Sequence, residues 1–396
     1  MDHGAGPACV VSSDSLTGYD FGPSHPMAPI RVGLAMELAG ELGVVGADLV
    51  KIPAVPADDD LIATVHTPDY IAAVKAASDD PTASNLAVGL GTDDNPTFAH
   101  MHAASSLIVG ASVEAARQVW TGGRLRAINV CGGLHHAMPD RASGFCIYND
   151  VAVAIRWLLD HGAQRVAYVD VDAHHGDGVQ KVFYDDPRVL TISLHETPQT
   201  LFPGTGLATE TGIGDAVGAS VNVALPPGTS DAGWLRAYHA VVPAIVREFK
   251  PDVLVTQQGC DSHMDDPLTN LMLSVDGQRA SYLALRDLAD EVCGGRWVAY
   301  GGGGYAVTDV VPRSWAHLMA IVGGHEIHPS TPTPPHWRAH VSELKSGGAA
   351  PLRMTDGRTP SYRDWREGYD PASWLDRQIL STRNAVFPMY GLDPMP

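Results

Sequence analysis

Long hydrophobic runs, a secretory signal and a disulfide framework are all absent from this sequence. No run of about eighteen apolar residues occurs, so a membrane-spanning helix is not expected. The segment 1–14 has neither a positively charged stretch nor an extended apolar stretch, so we expect no signal peptide. The five cysteines are scattered and odd in number, which favours reduced thiols. These absences predict a cytoplasmic protein with no membrane partner.

Basic residues are also scarce. Lysine and arginine number 26 against 45 aspartates and glutamates, which gives a formal net charge of −19. A surface with this balance repels the phosphates of a nucleic acid, so no nucleic-acid partner is expected. Much of the charge is that of an ordinary solvated surface, and a basic partner is only mildly favoured.

Apolar segments bounded by glycine, aspartate or proline alternate with segments of helical periodicity. This alternation predicts an α/β fold, with an open, mostly parallel sheet and helices on both faces. The predicted strands are 125–131, 165–170, 189–194, 252–257 and 296–300. The predicted helices include 102–120, 148–161, 233–249 and 277–293. Ligands bind outside the carboxyl ends of the strands in such sheets, so we expect the functional residues there.

The alternation of strands and helices ends near Gly324. We therefore expect a single domain over residues 1–325 and a C-terminal extension over residues 326–396. The extension has segments rich in Ser, Thr, Pro and Gly, and it carries the large aromatic residues Trp337, Trp365, Tyr369 and Trp374. These aromatic side chains predict that the extension packs on the domain.

Aspartate and histidine alternate directly after the predicted strand 165–170. Asp172 and His174 are two residues apart, so on an extended chain both side chains point the same way. Asp261 follows the strand 252–257. Two carboxylates and one imidazole suit Zn²⁺ or Fe²⁺ and leave a position open for water and a substrate oxygen. A lone aspartate after a strand is usually a turn residue, so it is the set of three that predicts a metal site.

Adjacent histidines follow the strand 125–131. His135 and His136 are candidates for a general base and a general acid, because imidazole titrates near neutrality. Asp170 and Asp177 supply two carboxylates that can each bind the far nitrogen of one ring and fix its tautomer. The alternative is a pair of structural histidines with satisfied hydrogen bonds, and the two matched aspartates argue against it.

Tyr305 ends a run of four glycines after another predicted strand. Its phenol can donate a hydrogen bond to an oxyanion that forms opposite the metal, and a glycine such as Gly303 lets the backbone approach a substrate closely. Phe145, which follows Gly144, and Phe202 can wall a narrow apolar slot. Such a slot fits a long aliphatic chain better than a flat heterocycle. The alternative for each aromatic residue is ordinary packing in the core.

Three further segments, together with the residues above, resemble the histone deacetylase superfamily, whose members have an arginase-like open sheet. The segments are 19–27 (YDFGPSHPM), 89–96 (GLGTDDNP) and 261–268 (DSHMDDPL). The last two are most similar to the bacterial acetoin-utilization branch. The likeness runs from about Tyr19 to about Gly324. It implies a metal-dependent hydrolase that removes an acyl group, usually acetyl, from a lysine side chain and releases acetate.

The resemblance also implies a role for each site residue. The metal ligands, for Zn²⁺ with Fe²⁺ as an alternative, would be Asp172, His174 and Asp261. The catalytic residues would be His135, His136, Asp170, Asp177 and Tyr305. The substrate-binding residues that we expect are Asp94, Gly144, Phe145, Phe202, Leu268 and Gly303. Within this set His136, paired with Asp177, would be the principal proton-transfer residue, and His135 would be its electrostatic companion.

Structural potassium is a further property that the resemblance implies. One site, built mostly from backbone oxygens, would use Asp170, Asp172, His174, Ser193 and Leu194. A second site would use Phe183, Asp186 and Val189. The expected partner is an acetylated protein. A metabolic enzyme such as an acyl-CoA synthetase is favoured over chromatin, since the chain has no basic cluster and no nuclear-targeting tail. The oligomeric state is not predicted.

Three alternatives remain open at the level of sequence. A binuclear ureohydrolase of the same fold would need carboxylates where the chain has Gly176 and His263, so one metal ion is expected. An acetylpolyamine amidohydrolase would differ only at the mouth of the pocket. A catalytically inactive acetyl-lysine-binding protein would be expected to lack Tyr305 or a metal ligand, and none is missing.

Overall fold

Eight parallel strands form one open sheet in the computed structural model, which describes residues 7–46 and 48–396. The strands are β1 (Ala8–Ser12), β2 (Leu49–Pro53), β3 (Arg126–Asn129), β4 (Val166–Asp170), β5 (Val189–Glu196), β6 (Ser220–Leu225), β7 (Val253–Gln257) and β8 (Trp297–Tyr300). Their order across the sheet is β2-β1-β3-β8-β7-β4-β5-β6, and every adjacent pair is parallel. The predicted α/β sheet is confirmed, and it is parallel throughout.

Helices connect the strands and cover both faces of the sheet. Within the described ranges they are α1 (Ile30–Glu41), α2 (Asp59–Ile62), α3 (Pro68–Asp79), α4 (Met101–Trp120), α5 (Asp150–Asp160), α6 (Asp177–Phe183), α7 (Asp231–Phe249), α8 (Val275–Cys293), α9 (Val311–Val322), α10 (Pro335–Leu344) and α11 (Trp374–Val386). Local signals set several of their ends. The Ser274 hydroxyl accepts a hydrogen bond from the Gly277 amide at the start of α8, and Gly294, with φ of +62°, ends that helix.

Consecutive strand residues enter two different hydrophobic cores. On β3, Ala127 faces one core and Ile128 the other, and Tyr168 and Val169 alternate in the same way on β4. The first core is closed by α1, α7, α8 and α9, and the second by α3, α4 and α5. Both faces of the central strands are therefore buried, as the continuous apolar sequences of parallel strands require.

The structure also contains three strands that the sequence analysis did not predict, β1, β2 and β6. The four long helices that it did predict correspond to α4, α5, α7 and α8, each within two residues at either end. Among the helices of the described ranges, none is long and apolar enough to cross a membrane.

The C-terminal extension forms α10 and α11 and packs on the domain. The Trp337 side chain is fully buried, and its Nε1 donates to the carbonyl of Leu34 at 3.1 Å. Trp365 is buried too, and Tyr369 packs against the same core. Trp374 differs from these three, since 38% of it is exposed. The extension therefore shares the core of the domain beneath it, through most but not all of its aromatic residues.

Candidate active site

Four central strands of the sheet end side by side and carry the predicted site residues. β3, β8, β7 and β4 are neighbours in that order, so their carboxyl ends lie at one edge. The loops that follow them hold, in the same order, His135 and His136, Tyr305, Asp261, and Asp172 with His174. Residues far apart in sequence thus meet at the position where parallel α/β sheets bind ligands.

Nδ1 of His174 lies between two carboxylates. It is 3.0 Å from Oδ1 of Asp172 and 2.9 Å from Oδ2 of Asp261. All three residues are buried, and their donor atoms lie within 4.8 Å of one another. The three predicted metal ligands therefore converge on one point.

The remaining carboxylate oxygens of this group are held by the protein itself. The Ala173 amide donates to Oδ1 of Asp261 at 2.8 Å. Gln257 Nε2 and the Gly303 amide donate to Oδ2 of Asp172 at 2.7 and 2.8 Å. One oxygen of each carboxylate is left facing the imidazole nitrogen. This donor set fits one divalent ion such as Zn²⁺ or Fe²⁺, with positions open for water and substrate.

The positions that a second catalytic metal would need are used differently. A Cβ on Gly176 would lie 2.3 Å from Oδ2 of Asp170, so no side chain fits there. His263 points its Nε2 at Oδ2 of Asp356, at 3.0 Å. Neither position offers a carboxylate to the site, which favours a single ion.

His135 forms the inner of two histidine–aspartate pairs. Its Nδ1 lies 2.7 Å from Oδ2 of Asp170, and the Tyr168 hydroxyl donates to that same oxygen at 2.6 Å. Burial disfavours a charged ring, but the carboxylates of Asp170 and Asp172 outweigh it and raise the pKa of His135 to about 9. The two carboxylates therefore stabilise the protonated form of His135.

His136 forms the outer pair, next to the substrate cavity. Its Nδ1 is 2.7 Å from Oδ1 of Asp177, and its Nε2 is 3.0 Å from Nε2 of His135. Burial and the positive charge of His135 outweigh the attraction of Asp177 and lower the pKa of His136 to about 4. A neutral imidazole with its far nitrogen on a carboxylate is suited to accept a proton.

Tyr305 is fixed through its backbone and its ring. Its amide donates to Oδ2 of Asp266 at 2.7 Å, and its ring meets Phe145 edge to face with centroids 5.8 Å apart. Arg31 donates to the carbonyl of Gly304, the residue before it, at 2.9 Å. Burial raises the pKa of the Tyr305 phenol well above its ordinary value, so the phenol remains a hydrogen-bond donor.

A cavity of about 210 Å³ leads from the surface to His136 and His174. Its lining includes five of the predicted substrate-binding residues: Asp94, Gly144, Phe145, Phe202 and Leu268. Gly144 has φ of +52°, and a Cβ there would lie 2.5 Å from Cδ2 of His136, so glycine is needed where the wall meets the imidazole. The sixth, Gly303, lines a smaller chamber beneath. Their binding roles remain predictions.

The residues of the first predicted potassium site lie on β4, on β5 and in the loop after β4. Those of the second run from the end of α6 to the start of β5. Asp170 and Ser193 are paired in register on β4 and β5, and the Ser193 hydroxyl is 2.8 Å from Nδ1 of His195. Leu194 follows on the same buried strand. In the second group the amide of Asp186 donates to Phe183 O, and that of Val189 to Asp186 O, each at 3.1 Å. Both potassium sites remain predictions.

Two residues that support the predicted site were not anticipated from the sequence. Asp150 is fully buried and accepts from the amides of Gly133 and Leu134 at 3.0 and 2.8 Å, which fixes the loop that carries the two histidines. Gln257 links Asp172 to the loop after β7. Its Nε2 donates to Oδ2 of Asp172, and its Oε1 accepts from the Gly259 amide at 2.7 Å. A polar side chain at the end of an otherwise apolar strand was the available signal for Gln257.

An all-parallel sheet whose central strand ends gather metal ligands and paired histidines has the architecture of the arginase–deacetylase α/β fold. Comparison with known families narrows this class. The histone deacetylase domain matches residues 25–322 of the chain. The chain therefore belongs to the histone deacetylase family and is a deacetylase.

Curated relatives agree with this assignment. The acetoin utilization protein AcuC of Bacillus subtilis (strain 168) is 43% identical over 83% of the chain and 84% of its own length. AcuC of Staphylococcus aureus (strain MSSA476) is 39% identical over 81% of the chain and 82% of its own length. AcuC of Staphylococcus xylosus is 38% identical over 83% of the chain and 85% of its own length. The similarity thus covers more than four fifths of the chain and of each of these relatives.

Proposed function

We propose that this protein removes acetyl groups from lysine side chains of proteins, releases acetate, and acts in acetoin utilization as the names of its relatives indicate. The observation that carries the proposal is the narrow cavity between Phe145 and Phe202. It is deep enough to reach His136 and His174 but small, at about 210 Å³. An extended aliphatic amide fits such a slot, and the reacting carbonyl would lie beside the metal ligands.

The proposed cofactor is one divalent ion, Zn²⁺ or Fe²⁺, held by Asp172, His174 and Asp261. When bound, it would supply Lewis-acid polarisation of the amide carbonyl and acidify water at the same centre. The converging donor atoms of these three buried residues support this assignment.

The side chains of the protein provide the remaining steps. His136, held by Asp177, takes a proton from the attacking water. The Tyr305 phenol donates a hydrogen bond to the carbonyl oxygen as it becomes anionic, which stabilises the tetrahedral transition state. A histidine then returns a proton to the lysine nitrogen as the amide C–N bond breaks. The products are acetate and a free lysine amine.

The substrate is proposed to be an acetylated protein such as an acyl-CoA synthetase. Asp94 and Leu268 line the cavity, and we expect them to contact the substrate chain next to the modified lysine. Acetylated polyamines offer the same acylated aliphatic amine without a flanking peptide chain.

Acetate release from a matched panel tests the function. The panel contains an acetyl-lysine peptide, the same peptide with longer acyl groups, acetylspermidine and an acetylated acyl-CoA synthetase. We expect turnover of the acetylated peptide and protein by enzyme loaded with Zn²⁺ or Fe²⁺, and none after chelation. Turnover of acetylspermidine alone would favour the polyamine hydrolase. Binding of the peptide without acetate release would favour an acetyl-lysine-binding protein.

A further inference from the structure

One residue of the C-terminal extension contacts the loop that carries a predicted metal ligand. Asp356 lies in the segment between α10 and α11, outside the region matched by the deacetylase domain. Oδ2 of Asp356 lies 3.0 Å from Nε2 of His263, two residues beyond Asp261. The side chain of Asp356 is only 23% exposed. The extension therefore reaches the active-site loop as well as the outer surface of the domain.

The Asp356 carboxylate is held from three directions. Besides His263, Oδ2 accepts from the Val275 amide at 2.7 Å, and Oδ1 accepts from Arg313 at 2.9 Å. Despite partial burial, the hydrogen bond from His263 and the charge of Arg313 hold the pKa of this carboxyl well below its ordinary value. The group is thus an ionised acceptor in a fixed position.

Hydrogen bonding also fixes the tautomer of His263. The Asp265 amide donates to Nδ1 at 3.0 Å, so that nitrogen must be an acceptor. The ring proton is therefore on Nε2 and is donated to Asp356. His263 is only 1% exposed. Without the Asp356 carboxylate, its Nε2–H would be a buried donor with no acceptor, which destabilises the folded loop.

A continuous series of hydrogen bonds leads from His263 to Tyr305. The Asp266 amide donates to the carbonyl of His263 at 3.0 Å. Oδ2 of Asp266 accepts from the Tyr305 amide at 2.7 Å, and its Oδ1 accepts from the Leu268 amide at 3.0 Å. One turn thus links the metal-ligand loop, the rim of the cavity and the backbone of the predicted oxyanion donor.

We propose that the C-terminal extension helps to position the active site and that Asp356 is the positioning residue. Through its contact with His263, Asp356 holds the 261–268 loop and, with it, Tyr305. This inference rests on the proposed deacetylase activity for its kinetic consequence, but the contact itself is independent of that activity. Asp356 is neither one of the predicted metal ligands nor part of the lining of the 210 Å³ cavity. Its effect is expected in kcat more than in KM, because a displaced Tyr305 loses a contact made chiefly in the transition state.

A second aspartate of the extension provides a matched control. Asp376 pairs with Arg236 of the domain at 2.8 Å, as Asp356 pairs with Arg313, and its side chain is 4% exposed against 23% for Asp356. It lies on α11, and its other contacts are with Asp370 and Ser373 of the extension. Replacing it weakens the docking of the extension without touching the His263 contact.

The test compares Asp356→Asn with Asp376→Asn in the full-length, metal-loaded chain. We expect Asp356→Asn to lower kcat about 10- to 100-fold, as loss of an outer support of a catalytic site typically does, with KM changed less than about threefold. We expect Asp376→Asn to lower the unfolding temperature but keep kcat within about twofold of wild type. An equal loss of kcat in both variants would mean that the extension acts only on overall stability, and would overturn the inference.

Amide hydrogen exchange supplies a measurement that needs no substrate. We expect exchange across residues 262–268 to accelerate about 3- to 10-fold in Asp356→Asn and to stay at the wild-type rate in Asp376→Asn. His263→Leu, which removes the donor to Asp356, should reproduce the loss, and the double variant should be no worse than either single one. Wild-type exchange or wild-type kcat in Asp356→Asn would refute the inference. A wild type that releases no acetate would instead refute the proposed function, and exchange would still test the contact.

Discussion

Two groups of buried histidines in this molecule differ in one respect, the presence of a carboxylate. At the sheet edge, His135 and His136 each place Nδ1 2.7 Å from an aspartate oxygen. Elsewhere, His66 accepts a hydrogen bond from the Asn149 amide at 2.9 Å, and His317 lies 3.2 Å from the Met354 carbonyl. In the second group the other ring nitrogen, Nδ1, is buried without a partner.

The difference distinguishes histidines that only pack in the core from the two for which a catalytic role is proposed. Burial alone lowers the pKa of His66 to about 4, and burial together with the charge of Arg279 does the same for His317. These rings are neutral side chains that pack in the core. The pKa of His136 is equally low although Asp177 lies beside it, so the buried carboxylate differs in what it does to geometry: it fixes the orientation and the tautomer of the ring. The paired histidines are therefore held as the proposed proton transfer requires, and the unpaired ones have no such carboxylate.

The largest effect is expected from removing the outer paired histidine. His136→Ala should lower kcat about 10²–10⁴-fold, since loss of a general acid–base group has this cost. His135→Ala should lose less, because His136 lines the substrate cavity and His135 does not. Steady-state kinetics with an acetyl-lysine peptide, together with metal content, measures both.

Replacing an unpaired histidine provides the control for that experiment. His317→Gln keeps a donor for the Met354 carbonyl and should leave kcat close to wild type. If His136→Ala turned over as fast as wild type, the outer pair would belong with the structural histidines, and the comparison between the two groups would fail.

The second-largest effect is expected from Tyr305→Phe, which tests oxyanion stabilisation separately from proton transfer. Tyr305→Phe keeps the ring and its packing on Phe145 but removes the donor. We expect kcat to fall about 10²–10³-fold with a smaller change in KM, because the contact is made chiefly with the oxyanion. The pH dependence of the residual activity should keep its shape, since the paired histidines are intact. A variant as active as wild type would show that Tyr305 only packs beside the cavity.

Much of the sheet could be predicted from the sequence, because five of its strands are continuous apolar segments. Two of the three missed strands, β2 and β6, lack that signal, whereas β1 carries a short apolar run, ACVV, and was missed despite it. β2 contains Lys51 and ends at Pro53, with alternate residues exposed at the sheet edge. β6 is interrupted by Asn222, whose side chain donates to Gln180 and to the Glu210 carbonyl. A polar residue satisfied by distant partners cannot be recognised as a strand residue from its neighbours in sequence.

The site was predictable for a different reason. Its ligands and histidines come in short local motifs, and parallel strands place the ends of those motifs together. The supporting residues are scattered. Asp150 holds the histidine loop from the first turn of α5, and Asp356 reaches its partner His263 across 93 residues. Single aspartates at such positions resemble helix caps or surface charges until the fold is known.

The unpaired histidines make a prediction about stability and pH. The pKa of His317 is about 4 in the folded protein and near 6.5 in an unfolded chain. Above pH 6.5 the ring is neutral in both states and contributes no pH dependence. As pH falls from about 6.5 towards 4, only the unfolded chain gains the proton. The free energy of unfolding therefore decreases by about 1.4 kcal/mol per pH unit from this residue.

His317→Gln removes this titrating group, so it tests whether an unpaired buried histidine stays neutral. Its effect on the free energy of unfolding is expected to be the smallest of those predicted here. Urea unfolding of wild type and variant at pH 7 and pH 5 should give a stability loss that is smaller in the variant by about 2 kcal/mol. The contribution of the carboxylates to the pH dependence cancels when the two proteins are compared, because these groups titrate alike in both. Equal losses would mean that His317 takes up its proton in the folded state near its ordinary pKa. Burial without a carboxylate would then not be enough to keep a core histidine neutral, and the distinction between the two groups would rest on catalysis alone.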